Sequence, residues 1–122
     1  MKHVFIINPK SNSEAFTEKF RHKIEELCVN RGLEFEIKST AKNLDAENFA
    51  RQAAEKGDAV RVYACGGDGT VNEVVNGIFG FKNAELAVIP IGTGNDFIRT
   101  FGDIKKFFDI ETVIDSEARP ID

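Results

Sequence analysis

The stretch Val60-Arg61-Val62-Tyr63-Ala64-Cys65-Gly66-Gly67-Asp68-Gly69-Thr70-Val71-Asn72-Glu73-Val74-Val75-Asn76-Gly77-Ile78 decides the fold. Val60 to Cys65 is a short apolar run that suits a buried strand. Val71, Val74, Val75 and Ile78 recur at i, i+3, i+4 and i+7, the apolar stripe of a helix. Between them lies the glycine loop Gly66 to Thr70. Glycine permits unusual backbone angles and lets a ligand approach the main chain. The helix that follows adds unpaired N–H groups and the positive end of its dipole, so phosphate suits such a loop. Asp68 sharpens the reading. A carboxylate beside a phosphate is repulsive unless a metal ion or a donor mediates, and a hard cation such as magnesium is expected. Thr70 can supply a hydroxyl and Asn72 an amide. Two plainer readings stay open: a tight strand-to-helix connection, and an Asx-type turn at Asp68.

Outward from this unit, strands and helices alternate. Phe5-Ile6-Ile7 reads as a strand buried on both faces and stopped by Asn8-Pro9. Phe16, Phe20, Ile24, Leu27 and Cys28 mark a helix that Asn12 or Ser13 can cap and Gly32 ends. Glu34 to Lys38 alternates as a wetter strand near an edge. Asp45 is expected to cap the next helix, with Leu44 and Phe49 spaced as a hydrophobic staple and Gly57 as the stop. Leu86 to Ile89 is a fourth strand ended by Pro90. Asp96 to Ile114 reads as helix broken at Gly102. The alternation predicts an α/β layer fold with a mostly parallel sheet and right-handed crossovers. Ligands in such sheets bind beyond the carboxyl ends of the strands. The loops Asn8 to Asn12, Gly66 to Thr70 and Gly92 to Asp96 should therefore share one rim.

The length of 122 residues fits one ordinary domain, and 42% apolar with 30% charged residues is a soluble globular composition. A net charge of −4 argues against a nucleic-acid footprint or a polybasic membrane anchor. No signal peptide or bilayer-spanning stretch is legible, so a cytoplasmic location is expected. Cys28 and Cys65 read as buried, inert thiols. His3 starts a strand, His22 lies on a solvated helix face, and neither is given a role. Neither glycine loop is a Walker A sequence, and Gly92-Thr93-Gly94 lacks the third glycine of the dinucleotide fingerprint. Asn8-Pro9-Lys10-Ser11 alone would be an ordinary capped turn, and Thr93, Asn95 and Asp96 add polar groups to the third loop.

Three motifs in order, Asn8-Pro9-x-Ser11, Gly66-Gly67-Asp68-Gly69-Thr70 with Asn72-Glu73, and Pro90-x-Gly92-Thr93-Gly94-Asn95-Asp96-Phe97-x-Arg99, resemble the catalytic domain of diacylglycerol kinases and related bacterial lipid kinases. The resemblance covers nearly the whole chain. It implies a three-layer α/β/α domain similar to those of NAD kinases and phosphofructokinases, binding ATP with Mg2+. By the same resemblance Asn8, Pro9, Lys10, Ser11, Asn12, Thr40, Gly66, Gly67, Asp68, Gly69, Thr70, Val71, Asn72 and Thr93 would line the nucleotide. Asp68 would organise magnesium and the transferred phosphoryl group. The family usually has glycine where this chain has Asn12; asparagine is the next-best residue for a left-handed backbone.

The resemblance further implies a second, β-rich domain that supplies a catalytic base and a further magnesium site. Residues 1–115 would be the ATP-binding domain and 116–122 the start of that second domain, the rest of which is expected to be missing from this chain. The expected function is the nucleotide-binding half of an ATP-dependent kinase that phosphorylates a lipid hydroxyl at a membrane surface. On its own the chain is expected to be inactive or slow. NAD or sphingoid kinase chemistry is the nearest alternative. A non-catalytic nucleotide-binding or oligomerisation module is another, with Phe79, Phe81, Phe107 and Phe108 as candidates for a self-associating face.

Overall fold

The computed structural model describes residues 1–91 and Ile114. The Gly92 to Asp96 turn, Phe107, Phe108, the break at Gly102 and the division near residue 115 lie outside the described residues. In chain order the elements are β1 (Lys2–Ile7), a short 3-10 turn (Pro9–Ser11), α1 (Glu14–Asn30), β2 (Glu34–Ser39), α2 (Asp45–Glu55), β3 (Val60–Gly66), α3 (Asp68–Ile78) and β4 (Ala84–Pro90). The strands form one sheet in the order β2-β1-β3-β4, and every pairing is parallel.

Side chains alternate across a strand, and the two faces carry separate cores. Phe5, Ile7, Tyr63 and Cys65 pack with Phe16, Phe20, Ile24 and Leu27 of α1, and Ile114 joins them. Val4, Ile6, Val62 and Ala64 pack with Ala46, Ala50 and Ala54 of α2 and with Val74 and Ile78 of α3. The three-layer α/β/α arrangement is the expected one. Glu34, Phe35, Glu36 and Lys38 place β2 at an edge, as their alternation predicts.

The strand order positions the site. From β1 the chain moves outward to β2, crosses back to β3 and continues outward to β4. Right-handed crossovers then require α1 on one face and α2 and α3 on the other. At the carboxyl ends of the adjacent strands β1 and β3 the chain departs to opposite faces, which opens a crevice between the two loops.

Of the two caps open for α1, Ser13 takes the role, its hydroxyl accepting from the Phe16 amide at 3.1 Å. Local expectations were revised at two places. Asp45 is the first residue of α2 and not its cap; the cap position is Leu44, at φ 71°. The Asp45 carboxylate instead accepts from the amides of Ala41 and Lys42 at 2.8 and 3.0 Å, so it folds the preceding loop, and Leu44 is 53% exposed and forms no staple. Finally, Gly66 ends β3 and Asp68 already belongs to α3. The five-residue glycine loop thus contracts to one linking residue, Gly67. None of Gly66, Gly67 and Gly69 has positive φ, so left-handed backbone is not why they are glycine.

Helices α2 and α3 touch where Gly77 lies. A Cβ there would collide with the Glu47 carbonyl oxygen and come within 2.8 Å of the Ala50 Cβ. Gly77→Ala is expected to cost about 1–3 kcal/mol through overpacking, read as a lowered urea midpoint with an unchanged m-value.

At the amino ends of the central strands a buried polar row crosses the sheet. His3 and Tyr63 are hydrogen-bonded at 2.6 Å between Nδ1 and the hydroxyl, and Arg61 donates to Glu85 at 3.3 Å and to the Ile114 carbonyl at 3.3 Å. Burial lowers the His3 pKa from its ordinary 6.5; Arg61 and the chain's amino terminus add to this and Glu85 opposes it. Burial also pushes Tyr63 up to about 12. Unfolded chains therefore bind more protons than folded ones just below pH 6.5, and the stability from neutral His3 is complete above 6.5 and declines as pH falls below it. Unfolding titrations from pH 7.5 to 5 should show this decline, and His3→Gln should flatten it.

Candidate functional site

Asn8 leaves β1 with its amide donating to the Cys65 carbonyl at 3.0 Å, which carries the β1–β3 pairing one step past the strand. Its side-chain oxygen accepts from the Lys10 amide at 3.0 Å and its carbonyl accepts from the Ser11 amide, closing the Pro9–Ser11 turn. Thr40 extends β2 in the same manner, its amide donating to the Ile7 carbonyl at 2.9 Å. The carboxyl ends of β2, β1 and β3 are thereby aligned along one rim.

The first and second loops meet at Gly66. A Cβ on Gly66 would lie 2.5 Å from the Thr70 hydroxyl and 3.3 Å from the Ser11 hydroxyl. Gly66 is glycine because Ser11 and Thr70 occupy the space of a side chain. Gly67 and Gly69 differ: a Cβ at either meets nothing within 4 Å. No side chain caps α3 at Gly67, whereas Ser13 caps α1. The N–H groups of Asp68, Gly69 and Thr70 belong to the first helical turn, where no partner exists within the helix. Asp68 is exposed and Thr70 is buried.

A hollow of about 110 Å³ opens on this rim, lined by Asn8, Lys10, Thr40, Ala41, Lys42, Asn43, Ala46, Thr70 and Glu73. It brings together Asn8, Lys10, Thr40 and Thr70 from the sequence-predicted set. Ser11, Asn12, Gly66 and the glycines of the second loop border the same rim through the contacts above. Val71 is half-buried against the α2 and α3 core, and Asn72 is exposed. Thr93 lies outside the described residues. Lys42, Asn43 and Glu73 were not selected from the sequence. The signal for Lys42 was Asp45, whose carboxylate folds the loop that carries it onto the rim.

The site holds two exposed lysines, Lys10 and Lys42, with amide and hydroxyl groups and the open backbone at the start of α3. This is a donor-rich surface suited to an anion with several oxygens. Among the described residues no three His, Cys, Asp or Glu side chains converge into a metal site. A larger hollow of about 350 Å³ lies at the opposite, amino-end edge of the sheet, lined by Lys2, Glu34, Glu36, Lys56 and Asp58 among others. None of the sequence-predicted residues lines it, and Lys2 there is already paired with Glu36 at 3.3 Å. Both cysteines are buried, and burial raises each thiol pKa, that of Cys28 to about 11, so both are inert as expected.

The close contact at Gly66 gives a direct test. Gly66→Ala should destabilise the fold by about 1–3 kcal/mol through overpacking, whereas Gly67→Ala should leave thermal stability within about 0.5 kcal/mol of the parent.

The chain matches the family model of the diacylglycerol kinase catalytic domain over residues 2–122. It is 41% identical over 122 residues to a diacylglycerol kinase of Bacillus subtilis, covering 96% of this chain and 39% of that protein. A diacylglycerol kinase of Staphylococcus haemolyticus is 36% identical over 121 residues, with 96% of this chain and 36% of the relative covered. A crystal structure of a diacylglycerol kinase from Bacillus anthracis superposes with a TM-score of 0.56 at 32% identity, over 81% of this chain and 37% of that one. The chain thus spans well under half the length of the relatives it matches.

Proposed function

This chain belongs to the diacylglycerol kinase catalytic domain family, and from that premise we propose that it is the nucleotide-binding half of an ATP-dependent lipid kinase. The kinase transfers the γ-phosphoryl group to a lipid hydroxyl such as that of a diacylglycerol, working as a soluble protein at the membrane surface. The observation that carries the reading is the entry to α3. Gly67 and Gly69 are required neither by backbone angle nor by packing within the described residues. A ligand pressed against the main chain would require both.

In this reading the amides of Asp68, Gly69 and Thr70 donate to phosphate oxygens at the positive end of α3. Lys10 and Lys42 supply cationic donors from the two flanking loops, and Asn8 and Thr40 border the rest of the hollow. Pro9, Ser11, Asn12 and Val71 shape the loops that carry these groups, and Thr93 and Asn72 complete the proposed nucleotide set. Magnesium bound with the nucleotide would neutralise phosphate charge, held mainly by phosphate and water oxygens with Asp68 as the carboxylate of this loop. The exposure of Asp68 fits that role, since its carboxylate is open to a hydrated ion. Phosphoryl transfer also needs a group that accepts the hydroxyl proton and a surface that orients the lipid. On the family pattern we assign both to the second domain.

Calorimetric titration tests the reading. Mg-ATP is expected to bind the 122-residue chain, with Asp68→Ala weakening it and turnover slow or absent. Gly69→Ala should raise helix stability by up to about 1 kcal/mol and still weaken ATP binding, because its methyl occupies the ligand's approach. Absence of magnesium-dependent binding at millimolar ATP would overturn the proposal.

A further inference from the structure

Asn12 uses both ends of its carboxamide inside the protein. Its Oδ1 accepts from the Ser13 amide at 2.7 Å and its Nδ2 donates to the Ile91 carbonyl at 3.0 Å. Its backbone is extended, at φ −154° and ψ 179°, so left-handed geometry does not explain asparagine at this position. Ile91 is fully buried at the end of β4, and its own amide donates to the Gly66 carbonyl at 3.4 Å. Ile91 is therefore a backbone node held from two sides, by the first loop through Asn12 and by the glycine turn through Gly66. Next to Asn12, Ser11 packs against Gly66 and closes the ring.

We propose that Asn12 is a positioning residue for the nucleotide site: through Ile91 it fixes the spacing between the first loop and the glycine turn, which a bound polyphosphate must span. This rests on the nucleotide reading above and deepens it. The side chain acts through the protein: one Nδ2 hydrogen and the Oδ1 are engaged with backbone groups, which fixes the carboxamide between the Ser13 amide and the Ile91 carbonyl. Losing the Nδ2 bond frees the first loop from the end of β4 while the Ser13 cap still starts α1.

Hydrogen exchange of the chain with and without Mg-ATP, together with calorimetric affinities, tests the proposal. In the parent chain, ATP should protect peptides spanning 8–13 and 66–72 alike. Asn12→Ala removes both side-chain hydrogen bonds, of which the one to Ile91 ties the two loops; it should weaken ATP by about 3- to 10-fold, the worth of that one bond, and keep protection at 66–72 while losing it at 8–13. Ser13→Ala, which removes the α1 cap and lowers the melting temperature, should bind ATP as the parent does. Parent-like affinity and protection in Asn12→Ala would overturn the proposal, as would an equal loss of affinity in Ser13→Ala. No protection or binding in the parent chain itself would instead overturn the nucleotide reading on which it rests.

Discussion

The absence of a side chain at Gly66 is the constraint from which the rest of the rim follows. Ser11 and Thr70 both occupy the space that a Cβ would need. That closeness lets the end of β1 and the end of β3 converge, with the Asn8 amide on the Cys65 carbonyl and the Ile91 amide on the Gly66 carbonyl. It also shortens the turn to one residue, so that α3 begins immediately and presents its first-turn amides at the mouth of the crevice. The two loops and the helix start form one packed unit.

Behind the rim, the molecule separates stability from site chemistry. The central strands are buried on both faces, and each face has its own apolar cluster. On one side the small residues Ala46, Ala50 and Gly77 let α2 and α3 pack closely. Both helices start at the rim, α2 next to the loop that carries Lys42 and α3 at the glycine turn, so their contact relates two walls of the same hollow. A buried polar row, His3, Tyr63, Arg61 and Glu85, lies at the far edge of the sheet. Rim and row are at opposite ends of the strands, and the titration of His3 is a matter of fold stability.

Much of this was legible in the sequence because hydrophobic periodicity dictates it. The apolar run of β1 and that of β3, interrupted only by Arg61, marked buried strands, the alternation in β2 marked an edge, and the stripe from Val71 to Ile78 marked α3. The α/β layer fold with its parallel sheet, and the rim shared by the first two loops, followed from the alternation of elements; the three-layer form followed from the family resemblance. Capping was read less well. Asp45 looks like a helix cap in sequence, yet its carboxylate turns back to Ala41 and Lys42. No pattern of spacing distinguishes those two uses of an aspartate. Gly66 was read only as part of an anion loop; it also answers steric contacts with Thr70, four positions on, and with Ser11, 55 positions back, and spacing within the loop cannot display the second of these. Thr40, Lys42 and Asn12 depend likewise on contacts between loops that only the strand order brings together.

Amide chemical-shift mapping of the 15N-labelled chain with Mg-ATP distinguishes ligand binding at the carboxyl-end rim from binding elsewhere. Perturbations are expected to concentrate at the amides of Lys10, Ser11, Asn12, Thr40, Lys42 and Gly67 to Thr70. Perturbations concentrated at Lys2, Glu34, Glu36, Lys56 and Asp58, around the larger hollow at the opposite edge, would contradict binding at the rim.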